Sequence, residues 1–170
     1  MASPEDTPDI TIVEEDSWAK KANSGILAAT GIETAIAVSI YDHGQKLALL
    51  GHFMSHTALR GFDKSFSRMR QDATNNFDPQ KSHVWIGGGL LIDPNIPAER
   101  GHFSPDTARE LNAETVSFRL DILQKVRDEM GFGYDDHNMS INWLYKPSSI
   151  DYSLDAETGV STQIVYPRHY

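Results

Sequence analysis

The chain of 170 residues is 39% hydrophobic and 23% charged, with a formal net charge of −9. That length and composition fit one domain with a sizeable core, while the acidity weighs against general nucleic-acid binding and against anionic membrane surfaces. The chain has no cysteine, which excludes disulfides, thiolate metal sites and a Cys nucleophile.

The opening, "MASPEDTPDITIVEEDSW", is acidic and lacks the apolar core of a signal peptide. Residues 1–16 read as a flexible acidic lead, with a short strand at residues 10–13, ahead of a single domain over 17–170. No apolar run is long enough to span a bilayer, and a cytoplasmic location is the default expectation. "ETAIAVSIYDHGQKLALLGHFMSH", residues 33–56, reads as two apolar strands joined by a tight turn at residues 42–45, with His43 and Gly44 at its centre. Next, Phe62, Phe66, Met69 and Ala73 recur at helical spacing, and Asn75 and Asn76 end that helix. Arg60, Lys64, Arg68 and Arg70 on it are expected to form a solvated face. "SHVWIGGGLLID" is a strand running into three glycines, and Trp85 on it is expected in the core.

Ser104 as N-cap, Pro105 at the first helical position and Asp106 in the first turn start a second helix. Val116, Leu120, Leu123, Val126 and Met130 continue it as an apolar stripe until Gly131 stops it. Three strands close the chain: "MSINWLYKP" with Trp143, "SIDYSLD", and "VSTQIVYP" after a turn, with Val160, Thr162, Ile164 and Tyr166 on one face. The order ββ-α-β-α-βββ lacks regular βαβα alternation, so the predicted fold is α+β, a layered sandwich of β-strands with two main helices.

The turn centred on His43 and Gly44 sets a register in which Ile40 faces Leu47 and Ala35 faces His52. Directly opposed side chains share a face with Cβ atoms about 4.5–5.5 Å apart, the reach of a nucleophile and its base. Glu33, two residues earlier, shares that face diagonally. Thr34, the nearest hydroxyl, is turned away by strand alternation and makes a poor nucleophile.

Five segments, taken in order over residues 26–165, resemble the chemoreceptor glutamine deamidase family, CheD, and more distantly the cytotoxic necrotizing factor class of toxin deamidases. "TGIETAIAVSIYD" is similar to the family's "LGLGSCVAVxLYD", "LLGHFM" to "GGMAHFM", and "VWIGGG" to "KIFGGA". "RELNAETV" is similar to "GERNVEAV", and "LDAETGVSTQI" to "FDTETGKVLVK". The resemblance implies a CheD-like sandwich. It also implies a Cys–His–Thr deamidase site in which the His falls on His52, the Cys on Ala35 and the Thr on Ala29, so that nucleophile and orienting residue are both replaced.

Three readings follow. His52 and Glu33 can form a residual cleft for non-covalent acid/base chemistry on a small molecule, of isomerase, lyase or cyclase type. The chain can be a pseudoenzyme module that binds a protein partner through a side chain. Or it can be a protein glutamine deamidase inactivated by a Cys-to-Ala change. Ala35, Thr34, Gly87, Gly88 and Gly89 are the expected lining, the glycines allowing close backbone approach rather than forming a phosphate loop, which would end in Lys-Ser/Thr. No cofactor is expected. The histidines His43, His83, His102, His137 and His169 show no helical pairing with an acid, so no metal is expected. Residues 135–138, "DDHN", read as a turn.

Overall fold

A computed structural model describes residues 9–54, 64–132 and 138–168. His56, Arg60, Phe62, His137, His169, residues 1–8 of the expected lead and residues 135–137 of the expected turn lie outside them. The described chain forms β1 (Ile10–Ile12), β2 (Ser17–Ala22), β3 (Ile26–Ile32), β4 (Ile36–Asp42) and β5 (Leu47–Phe53). After them come α1 (Lys64–Asn76), β6 (Ser82–Gly88), a short α2 (Pro97–Arg100) and α3 (Pro105–Gln124), which runs on as a π-turn. β7 (Met139–Trp143), β8 (Ser148–Asp155) and β9 (Ser161–Pro167) complete the fold.

Two sheets result, ordered β1-β3-β8-β9 and β2-β5-β4-β6-β7. The fold is an α+β sandwich whose second sheet is covered on both faces. Its outer face packs Ile36, Val38, Ile40, Leu49 and Phe53 against Phe66, Met69 and Ala73 of α1 and Phe118 and Ile122 of α3. Its inner face packs Ala37, Tyr41, Leu50 and Trp85 against Leu27, Ile150, Tyr152 and Leu154 of the first sheet. Burial on both faces is why β4 reads as a near-continuous apolar run and has every residue buried. Gly51 leaves room for α1, because a Cβ there would lie 2.5 Å from Met69 Sδ.

The second helix starts as the sequence predicts: Ser104 Oγ accepts from Thr107 N at 3.1 Å, and Gly131 after it has φ +76°. Its buried stripe is only partly the expected one: Val126 and Met130 are buried and Leu123 packs against the same core. Val116 and Leu120 are exposed, while Ala108, Thr115, Phe118, Arg119 and Ile122 face inward. A charged side chain holds an inward position because Arg119 Nε donates to Gly89 O and an Nη donates to Leu144 O, both at 2.9 Å. The guanidinium also lies 5.1 Å from the Trp143 ring centroid and 5.0 Å from that of Tyr145.

The hairpin register also differs from the expected one. Asp42 pairs with Leu47 and Ala37 with His52, so Ala35 is not the residue opposite His52. The loop is longer than a two-residue turn because the Asp42 carboxylate organises it. It accepts from Gly44 N at 2.9 Å, Gln45 N at 3.1 Å, the Gln45 amide at 2.7 Å and Asp78 N at 2.9 Å. Burial pulls that carboxyl upward, but these four donors outweigh it and hold it below the ordinary carboxylate value. The slip is two residues, an even number, so the faces are preserved.

Candidate functional site

His52 sits on β5 between Ser17 of β2 and Ala37 of β4, and the same row continues to Gly87 and Asn142. Alternation points it inward with Leu50 and Ala48, and it is only 3% exposed. Among the described residues neither ring nitrogen makes a well-formed hydrogen bond, although the Val13 backbone lies close enough to act on the ring. A buried polar group left this way costs about 1–3 kcal/mol, so an unpartnered imidazole calls for a reason. Beside it lies a cleft of about 320 Å³ lined by Ile12, Val13, Glu14, Glu15 and Thr30.

The loop between β1 and β2 forms one wall and is strapped onto the end of β5. Asp16 N donates to His52 O at 2.6 Å, and the Asp16 carboxylate accepts from Met54 N at 3.0 Å. Ser17 Oγ donates to Glu14 O at 2.6 Å, and Val13 N donates to Ala28 O at 2.7 Å. Asp16 takes φ 58° to make this turn, a conformation Asp tolerates better than most residues. Of these, Glu14 and Asp16 fall within the stretch expected to be a loose lead, and Val13 within its expected short strand.

Burial pushes the His52 imidazole below its ordinary value. The Val13 backbone and the charges of Glu15, Asp16 and Glu14 act in the opposite direction without cancelling it. At neutral pH the ring is therefore uncharged, one nitrogen carrying hydrogen and the other a lone pair. It can accept a proton beside carboxylates that stabilise the resulting imidazolium.

Glu33 is placed elsewhere. It pairs with Arg168 and lines a small separate cleft of about 70 Å³ with Thr34, Leu90, Leu91, Ile92 and Pro147. The structure thus brings Glu33 and Thr34 together, with Arg168, and does not bring Glu33 into the lining of the His52 cleft.

Ala35 is 3% exposed, and its carbonyl accepts from Gly89 N at 2.9 Å. Gly88, at φ +106°, approaches so closely that a Cβ would stand 2.2 Å from Ala35 O. Gly87 serves another purpose: a Cβ there would meet Trp85 Cζ2 at 2.3 Å, so its absence makes room for the indole. That indole stacks on Tyr152 with centroids 3.9 Å apart. The three glycines serve close packing, as the sequence reading expects, but they do not line the His52 cleft.

Ile12, Val13, Glu14, Glu15 and Thr30 are the cleft residues that sequence reasoning missed. The only trace was the run "EED" directly after the alternating "ITIV". Nothing local ties that run to a histidine on another strand. Among the described residues no group of three or more His, Asp or Glu side chains is placed to hold a metal ion, and no helix is long and apolar enough to cross a membrane.

No protein-family model matches the chain, and no curated protein matches it by sequence. Among solved structures it is similar to the hypothetical protein YfiH of Bacillus licheniformis, at 13% identity and a TM-score of 0.42, over 76% of this chain and 51% of that one. It is also similar to protein NMB0706 of Neisseria meningitidis, described as DUF152, at 7% identity and a TM-score of 0.39, over 95% of this chain and 76% of that one. The chain spans about half the length of the Bacillus protein, and likenesses at these scores carry no argument about what the His52 cleft does.

Proposed function

We propose that the His52 cleft is the working site and that it performs non-covalent acid/base chemistry on a small molecule, of isomerase, lyase or cyclase type. One observation carries this reading: a 3% exposed imidazole with no well-formed hydrogen bond on either nitrogen among the described residues, on the wall of a cleft of about 320 Å³. The neutral ring takes a proton from a bound molecule and returns it to another atom of the same molecule or to the leaving group. Glu14, Glu15 and Asp16 favour the imidazolium in between, and Thr30 supplies a hydroxyl to orient the ligand. The acid partner assigned here is this carboxylate group rather than Glu33, which is engaged with Arg168. The route of the glutamine deamidases is closed, because Ala35 offers no attacking atom and the chain has no thiol at all.

The test is solvent deuterium uptake into the C–H positions of a panel of small amino ketones, hydroxy acids and oxo acids, followed by NMR. The parent is expected to exchange at least one compound, and His52→Gln to slow that exchange by about 10²–10⁴-fold with the fold intact. Equal exchange by parent and variant would place the base elsewhere.

A further inference from the structure

The inner face of the second sheet changes character along its strands. Around His52 it carries Ala37 and Leu50, but from Ser39, about 7 Å along at the strand rise, to Tyr41, about 13 Å along, it becomes polar. Ser39 lies opposite Trp85, and Tyr41 lies opposite His83. From the first sheet, Tyr152 of β8 and Ser161 of β9 point to the same place, where the two sheets enclose a second cleft of about 260 Å³. A sandwich core is normally filled by apolar side chains, and replacing them with hydroxyls and imidazoles weakens the core unless every group is satisfied.

The hydrogens do not balance. Ser39 Oγ and Tyr152 Oη are 2.6 Å apart and each residue is 3% exposed. Two hydroxyl hydrogens serve that single contact. The Ser161 hydroxyl also acts on the Tyr152 hydroxyl, and adding it gives three hydrogens for two contacts. Either way, among the described residues one O–H is left to donate, and these hydroxyls border the cleft. His43, edge-on to Tyr41 with centroids 4.9 Å apart, adds an imidazole with one donor and one acceptor when neutral.

Charge and shape narrow the occupant. Among the described residues, no Lys, Arg, Asp or Glu lines the cleft. The nearby Asp42 and Asp155 carboxylates are tied down by backbone N–H groups of their own turns, and their fields disfavour an anion. Leu154 and the Tyr41 ring give apolar walls for C–H groups. The ring is held in place by the backbone at Gly159, where a Cβ would lie 2.3 Å from Tyr41 Cε1. The volume is below the roughly 300–1,000 Å³ of drug-sized pockets, which suits one small ring.

We propose that this cleft is a second binding site, distinct from the His52 cleft, for a small uncharged polyhydroxylated molecule of the monosaccharide class. Hydroxyls on such a ligand take the spare hydrogen of the Ser39–Tyr152 pair and bond to His43, while its C–H face rests on Leu154 and Tyr41.

The experiment is an NMR titration of the full chain with D-glucose, D-xylose and glycerol to tens of millimolar, with glucose 6-phosphate as the charged control. Saturable shifts are expected for a neutral sugar at the His43 imidazole and the Ser39 and Ser161 amides, without a shift at His52. Tyr152→Phe keeps the ring stacked on Trp85 and removes only the hydroxyl, so affinity should fall about 3–10-fold. Ser161→Ala, on exposed β9, gives a second reading if Tyr152→Phe does not fold. No saturable shift with any neutral compound, or equal binding of the phosphate, would overturn the proposal. So would unchanged affinity in whichever of the two variants folds.

Discussion

His52 is a residue whose burial works against its charge, and that makes a pH prediction with a definite sign. Its folded value lies below the ordinary 6.5 because desolvation dominates. Between the two values the unfolded chain binds more protons than the folded one, so stability rises with pH across that window. The contribution is complete above about 6.5 and is lost as pH falls toward the folded value. Urea unfolding at pH 7.5 and 5.5 should therefore show an acid loss in the parent that is smaller in His52→Leu. Asp42 does not confuse this window, because its carboxyl is held below 3.8 and its contribution disappears only under more acidic conditions. An equal acid loss in parent and variant would assign the effect to other groups.

At the level of elements, α3 is pinned to the rest of the molecule by one charged side chain. Arg119 bridges the helix to Gly89 at the end of β6 and to Leu144 just after β7. The two carbonyls belong to chain segments that meet there, since Leu144 N donates to Gly88 O at 2.9 Å. Arg119→Met keeps the length of the stem but strands both carbonyls, and should cost about 2–3 kcal/mol in a denaturant titration. Arg119→Lys should rescue little, because an ammonium lacks the planar fork that serves both acceptors and lies against the Trp143 and Tyr145 rings. Full rescue by Lys would show that charge alone is sufficient.

For the whole molecule, the backbone wrapped around Ala35 decides what a restored cysteine could do. The Gly88 and Gly89 backbone lies against Ala35, and the adjoining β3–β4 connection is tied to the C-terminal end of the described chain through Glu33 and Arg168. A thiol at position 35 has little access to solvent from the folded state. Ala35→Cys should react with a disulfide reagent at least about tenfold more slowly when folded than in denaturant, and should release no ammonia from glutamine peptides. Fast labelling together with ammonia release would favour an inactivated deamidase instead.

Much of this architecture was legible in local sequence. Continuous apolar runs marked β4 and β5, period-two alternation marked β9, and Ser104 with Pro105 marked the start of α3, because each signal acts within a few residues. β2 and β3 were not legible for local reasons too. β2 is an edge strand whose Lys20 pairs with Asp72 of α1, so its apolar pattern is diluted. β3 carries a bulge between Ala29 and Ile32, where Gly31 N donates to the Asp151 carboxylate at 2.9 Å. Sequence alone singled out His52, but the residues that share its cleft come from a loop and a strand far upstream in the chain. Their meeting depends on the clasp of Asp16 on β5 and on the Asp42-centred loop that slides the hairpin by two residues. Both are side-chain-to-backbone contacts across distant segments, which no periodicity records, so the tertiary structure alone decided what His52 faces.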